Sequence, residues 1–339
     1  MSAHAKPSTA TKRAPEVESL ESLVKMIQDC PESKCLAKSY LTTDFVKKMS
    51  SVKSEYGCTL AHIIRNCALN PKSECPRVGD ADCYKVFQEF LDIVIKTYHK
   101  IPSDDFKHPE PTFGDLEKLP FGNLDPTGKN SASVIAPSTG PGTFVQFFYA
   151  SLFSPVSMNC VSLSPSLGVF LPRPPGDSVV STRVRVGRSI DGFPFSTIIS
   201  KEDRLLLEQK LSAVLKGLTG EFAGTYHSLD GMDDETKDKL VKDHFLFGDS
   251  NKIFQDAGGY RDWPVGRGIF FNKDKTFLCW IGEEDHLRVI SMQEGGDLAA
   301  VYARLARVSY RHPTYVFSQS NVLLTSIYMH PDQCDVCLI

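Results

Sequence analysis

The apolar residues of this 339-residue chain change their period once, and that change bounds the folds open to it. As far as about His99 they recur every three or four residues. Leu20, Leu23, Val24 and Ile27 keep this rhythm, and Thr59-Leu-Ala-His-Ile-Ile-Arg sets Leu60, Ile63 and Ile64 on one side of a turn. Tyr84, Phe87, Leu91, Val94 or Ile95, and Tyr98 predict one long helix behind the acidic start at Asp80. From Ser178 the pattern turns to strands alternating with helices. Ser178-Val-Val-Ser-Thr-Arg-Val-Arg-Val alternates with period two, and Ser200 is placed to cap a helix carrying Leu205, Leu206, Leu211, Val214 and Leu215. Phe277 to Trp280 and Leu287 to Ser291 predict a hairpin, while Leu298, Val301, Tyr302 and Leu305 form the face of one more helix. The fold class is therefore α+β, a small all-α domain followed by an antiparallel sheet with helices packed on it.

Two segments follow neither period. Asn130 to Asp177 is 48 residues with no Lys or Glu, one Arg and one Asp, and its prolines recur too often for a helix or a central strand. A structureless loop of that length is uncommon inside a compact domain, so it is expected to be disordered. The tail from Val308 to Ile339 likewise has no Lys, Glu or Gly. Met1 to Val17, rich in Ala, Ser, Thr and Lys, is expected to be a disordered leader, with a mitochondrial transit peptide as the sharper alternative.

Composition narrows the partners. A formal charge of −3 offers no electrostatic case for nucleic acid or an anionic membrane surface. No run of 18 or more apolar residues is present, so a spanning helix is not expected. The ten cysteines are scattered without a framework spacing, which fits reduced thiols in a cytoplasm. Cys334-x-x-Cys337 lacks the second pair that a zinc site needs.

Two stretches could carry chemistry. In Ser181-Thr-Arg-Val-Arg-Val-Gly-Arg, Arg183 and Arg185 stand two apart on a predicted strand and leave the same face. Paired guanidinium forks suit a polyphosphate, although a solvated edge strand would show the same spacing. In Gly282-Glu-Glu-Asp-His-Leu-Arg, a near-extended chain would set Glu284, His286 and Arg288 on one face, with Glu283 and Asp285 on the other. Four residues of strand span about 13 Å, so Glu284 could grip a cationic group and Arg288 a phosphate. An acidic turn facing water is the competing reading of the same residues.

STRVRVGRSIDGFPF (181–195), KDHFLFGDS (242–250), RDWPVGRGIFFNKDKTFLCW (261–280) and GEEDHLRVISMQEGGDL (282–298), taken together, resemble the phosphagen (guanidino) kinases, the family of arginine and creatine kinases. KSYLT, GCTLAHII, DADCYKVFQEFLDIVIKTYH and NLDPTGK resemble that family's small helical domain. The resemblance implies reversible transfer of the ATP γ-phosphoryl group to a guanidino nitrogen, with Mg²⁺ accompanying ATP or ADP, and most simply arginine as acceptor. Taurocyamine, glycocyamine and creatine stay open, because the loop 70–84 matches the arginine kinase pattern poorly. Position by position, the resemblance puts Ser181, Arg183, Arg185, His244 and Arg288 on the nucleotide, with His244 near the adenine. Glu284 is matched to the catalytic carboxylate that binds and aligns the guanidinium. Gly282 stands where the family usually has Asn, which is expected to loosen the turn.

The expected organisation is a tail over 1–18, the helical domain over 19–129, an unmatched insert over 130–177, the first half of the catalytic domain over 178–307 and an unmatched tail over 308–339. On this reading the insert and tail are translated intron sequence, and the first half of the catalytic domain alone gives an incomplete sheet. Little or no kinase turnover is then expected, and a non-catalytic binding or regulatory isoform is the alternative.

Overall fold

A computed structural model of the protein describes residues 14–101, 114–124, 181–243, 245–309 and 336–338, the last three as backbone only. The predicted insert and residues 1–13 of the predicted tail lie outside these residues, whereas residues 14–18, expected to be disordered, meet the helical unit: Ala14 and Val17 pack against its core and Glu18 pairs with Arg65 at 2.7 Å.

The first unit is helical: α1 (Leu20–Asp29), α2 (Thr43–Met49), α3 (Leu60–Leu69), α4 (Cys83–Val86) and α5 (Gln88–His99). Local chemistry sets each start. Ser19 and Thr42 accept the N–H groups of Ser22 and Phe45, and Thr59 pairs reciprocally with His62 at the head of α3. The single long helix predicted after Asp80 is in fact two, broken at Phe87, whose φ of −112° and ψ of 22° leave the helical range. The break lets Phe87, Phe90, Leu91 and Val94 enter one core with Leu23, Ile27, Leu60, Ile63 and Ile64, while Tyr84 and Tyr98 stay half-buried. Ile198, from the second unit, completes that core.

The second unit is an antiparallel sheet in the order β2-β3-β4-β5-β1-β6. Its strands are β1 (Ser181–Arg188), β2 (Gly224–Ser228), β3 (Gly268–Asn272), β4 (Phe277–Ile281), β5 (Leu287–Glu294) and β6 (Val336–Leu338). Its helices are α6 (Lys201–Lys216), α7 (Asp234–Lys242), α8 (Lys252–Asp256) and α9 (Leu298–Ser309). Beta6, from the predicted tail, pairs with the outer edge of β1, Arg183 standing opposite Cys337.

The strand FLCWI reads as continuously apolar because both its faces are covered. Phe277, Cys279 and Ile281 join Val184, Val186, Leu287 and Val289 beneath α6 and α9, whereas Leu278 and Trp280 pack with Ile269, Ile290, Leu240 and Phe247 on the opposite face. The Cys279 thiol is fully buried and burial pushes its pKa well up, so it is an inert packing group. Helix α6 begins at Ser200 as predicted, Oγ accepting from Asp203 N–H, but its buried stripe differs from the expected one. Leu207, Leu211 and Leu215, four apart, face the sheet and Leu205 is 44% exposed.

The β4–β5 connection departs most from expectation. Residues 282–286 form a folded turn rather than an extended strand, closed by Gly282 N–H donating to His286 O at 3.1 Å. Gly282 has φ +71°, and a Cβ there would sit 2.7 Å from Gly266 O, so glycine specifies this turn where looseness was expected. His286 is buried, accepting at Nδ1 from Ile190 N–H (2.9 Å) while its Nε2 lies 2.8 Å from Pro194 O. That pair of contacts requires the neutral ring protonated at Nε2. Burial pushes its pKa down to about 4, and Arg204 adds to the fall.

Leu211→Ala is expected to cost about 2–5 kcal/mol in urea unfolding, against about 0.5 or less for Leu205→Ala. Because folded His286 resists protonation, the unfolded chain binds the extra proton between about pH 6.5 and 4. Its contribution to stability is complete above that window and is lost as pH falls through it, about 3 kcal/mol in all. Unfolding of the wild-type chain and His286→Gln at pH 7 and pH 4.5 should therefore show the larger acid loss in the wild type.

Candidate active site

The turn gathers its charges on one guanidinium. Arg288, first but one on β5 and buried, meets Asp285 Oδ2 through Nε at 2.9 Å, Glu283 Oε2 through Nη1 at 2.8 Å and Glu284 Oε2 through Nη2 at 3.6 Å. The expected division into two faces is thus overturned, since the three carboxylates converge. Glu284 and Arg288 are neighbours rather than the ends of a span near 13 Å, because the turn folds back where an extended chain would have separated them. Burial works against the Arg288 charge, yet Asp285, Glu283 and Glu284 together raise its pKa above the ordinary arginine range. Burial also raises the pKa of Glu283 and of Asp285, with Arg288 opposing in both.

Beta1 makes room for this arrangement. Gly187 lies opposite Arg288 in the ladder, and a Cβ on it would fall 2.5–2.7 Å from the Asp285 carboxyl atoms. The carboxylate therefore occupies the volume that a side chain at 187 would need. Arg183 and Arg185 share this face, as the strand alternation predicted: Arg183 lies over the Trp280 ring at 5.0 Å, and Arg185 is near enough to Asp285 to favour its ionised form. Arg288 approaches the same indole at 5.9 Å. Trp280 is itself fixed by donating Nε1–H to Phe245 O at 2.7 Å, which ties the KDHFLFGDS segment to the sheet. Ser181 begins β1 opposite Glu294, and His244 lies outside the described residues.

Sequence reasoning missed Arg77. It belongs to the loop between α3 and α4, and its Nη1 pairs with Glu284 Oε1 across 207 positions of chain. Both side chains keep just over a fifth of their surface exposed, 22% for Arg77 and 23% for Glu284. The same loop docks on the sheet unit through its backbone: Phe195 N–H donates to Gly79 O at 2.7 Å and Thr197 Oγ1 to Val78 O at 3.1 Å. A second crossing comes from Arg65, which donates to Asp256 O. A pairing this distant leaves no trace in local spacing. A hint lay in the poor match of loop 70–84 to the arginine kinase pattern.

Chemically, one sheet face thus presents the guanidinium groups of Arg183, Arg185 and Arg288 beside a carboxylate, Glu284, that already accepts a guanidinium. Such a surface can hold a multiply charged anion and a guanidinium-bearing molecule side by side.

Comparison with known proteins gives the family. Residues 31–96 match the N-terminal domain of ATP:guanido phosphotransferases and residues 206–312 their C-terminal catalytic domain. A taurocyamine kinase of Schistosoma mansoni is 48% identical over 298 residues, covering 87% of this chain and 34% of that protein. Arginine kinases of Haliotis madaka and Amphioctopus fangsiao are each 41% identical, over 85% and 84% of this chain and 66% and 68% of their own lengths. The chain therefore spans about a third of the first relative and about two thirds of the other two. Among solved structures, the duplicated taurocyamine kinase from Schistosoma mansoni with bound transition state analog components superposes with a TM-score of 0.68 at 49% identity, over 86% of this chain and 35% of that one. Lombricine kinase superposes at 0.63 with 29% identity, over 81% of this chain and 62% of its own. This chain belongs to the ATP:guanido phosphotransferase, or phosphagen kinase, family.

Proposed function

We propose that this protein exchanges a phosphoryl group between Mg-ATP and a guanidino compound. The observation that carries this reading is the approach of Glu284 to Arg288 at 3.6 Å on the sheet face that also bears Arg183 and Arg185. In the proposed reaction the γ-phosphorus–oxygen bond breaks, a phosphorus–nitrogen bond forms, ADP leaves and the guanidinium releases one proton. A guanidinium is a poor nucleophile until a proton leaves and its lone pair is aimed in line. Glu284 would accept its N–H bonds, fix that aim and favour loss of the proton.

Arg183, Arg185 and Arg288 would meet charge building on the phosphoryl oxygens and on the ADP leaving group, where pre-arranged cations act without reorganising. Arg288 donates one hydrogen bond, Nε–H to Asp285 Oδ2 at 2.9 Å, while Glu283 and Glu284 approach it as ion pairs, an arrangement that would leave Nη donors for a phosphate. Ser181 and His244 complete the nucleotide site by family resemblance. Mg²⁺ would arrive as part of the nucleotide substrate, as the family resemblance implies, since the turn carboxylates close on Arg288.

Arginine was the acceptor expected from sequence. The 48% identity to a taurocyamine kinase, against 41% to the arginine kinases, supports placing taurocyamine first. Seven free cysteines among the described residues support a reducing cytoplasm as the setting. Among those residues no helix is long and apolar enough to cross a membrane. We also propose the sequence-derived boundaries at 129 and 178 as the limits of the two family domains.

A coupled ATP assay on the purified chain with taurocyamine, arginine, glycocyamine and creatine tests the reading. Although the sequence alone led to an expectation of little or no turnover, the charges gathered around Glu284 support the opposite, so the expected result is turnover with a guanidino acceptor that falls about 100-fold or more in Glu284→Gln and about 1000-fold in Arg183→Ala. Calorimetric binding of Mg-ADP with no turnover on any acceptor would instead identify a non-catalytic nucleotide-binding member of the family.

A further inference from the structure

Two pairs of cysteines meet inside the helical unit, and their surroundings differ. Cys35, in the connection between α1 and α2, and Cys67, on α3, share a thiol-to-thiol hydrogen bond. The backbone brings them together: Lys34 and Leu36 donate their N–H groups to Pro71 O at 2.8 Å and Glu74 O at 2.9 Å, and Cys67 Sγ lies 3.9 Å from Ser73 Oγ. Cys58 and Cys83 make the second pair, also hydrogen-bonded thiol to thiol. Both are fully buried beside Asp80, whose Oδ1 accepts the Cys83 N–H at 3.1 Å.

Of the two, the first is built to form a thiolate. The hydrogen bond from Cys67 pulls the Cys35 thiol below the usual cysteine range against the effect of burial, helped by the N–H groups of Ala37 and Lys38 and by the Lys38 charge. That same bond, and then burial, push Cys67 up, so the shared proton rests on Cys67. Cys58, by contrast, is pushed well up by its bond to Cys83, by burial and by the nearby Cys83 and Asp80 charges. Cys35 is buried, but it lies in a surface segment where Pro31, Glu32, Lys34, Ser39 and Tyr40 are exposed. A small oxidant has only a short way to travel.

We propose that Cys35 and Cys67 are a redox couple, a modification site at which hydrogen peroxide joins the α1–α2 connection to α3 by a disulfide. The Cys35 thiolate attacks one peroxide oxygen, the O–O bond breaks, and the departing hydroxide takes up a proton to leave as water. Cys35 is then a sulfenic acid. The Cys67 sulfur attacks the Cys35 sulfur, the S–O bond breaks, the S–S bond forms, and the released hydroxide leaves with the Cys67 proton as a second water. Two thiols lose two electrons and the peroxide gains them. In a reducing setting the couple returns to the dithiol once peroxide is gone. Cys58 and Cys83 stay reduced throughout, because neither thiol ionises beside Asp80 in a sealed core.

Peptide mapping by mass spectrometry tests this on the full chain, reduced, then treated with hydrogen peroxide and alkylated under denaturing conditions. The expected product is a peptide pair joined through Cys35 and Cys67 that dithiothreitol separates, with alkylatable Cys35 lost about tenfold or more faster than alkylatable Cys58. In Cys67→Ser the reaction should stop at Cys35 sulfenic acid, which dimedone labels. Should that variant not fold, the wild-type map decides alone. Cys35 and Cys67 both alkylated after peroxide, a link between Cys58 and Cys83 formed first, or a link from either Cys35 or Cys67 to any other cysteine would each overturn the proposal.

Discussion

Arg288 is the point on which the rest of this site depends. A guanidinium buried on a sheet face loses its hydration and keeps its charge only if oxygens replace the lost water. Here three consecutive carboxylates do so, and each constrains something different. Asp285 fixes the plane from the volume left by Gly187, Glu283 closes one side, and Glu284 reaches the other from the mouth of the site. The turn that brings them together exists because Gly282 tolerates φ +71° against the carbonyl of Gly266, and His286 holds the turn to residues 190–194 through a neutral ring. The charges of the site and the shape of the hairpin are one solution.

The helical unit is joined to this arrangement rather than set apart from it. Its loop after α3 reaches the sheet unit by two backbone contacts and one ion pair, and Ile198 returns the connection by entering the helical core. Any rearrangement of the loop on binding is thereby felt at Glu284.

Much of the architecture was legible. Periods of three to four and of two located α1, α3, the α4–α5 stretch, α6 and α9 and the strands β1, β4 and β5, because burial on one face leaves a regular mark on composition. Ser200 signalled a helix start because capping acts within a few residues, and the structure adds Ser19 and Thr59 as caps of the same kind. The errors were also local in cause. Phe87 reads as one position of a continuous helix until its burial breaks the helix in two, and Leu205 fits the apolar rhythm of α6 while pointing to solvent. At the site, the common face of Arg183 and Arg185 followed from strand geometry alone. The acidic run misled because alternation assumes extended backbone, and positive φ at Gly282 abolished that assumption.

What the sequence by itself determined was the inventory and its order: a helical unit, then a sheet bearing two arginines, a carboxylate run and a third arginine, in motifs dense enough to imply a family. Only the tertiary structure decided how those charges pair. Three carboxylates that alternate along the chain collapse onto Arg288, and Glu284 meets Arg77 from 207 positions away. The reason is physical. Spacing encodes which face a residue takes within one element, but an ion pair between elements depends on where two folded units touch, and no local period records that.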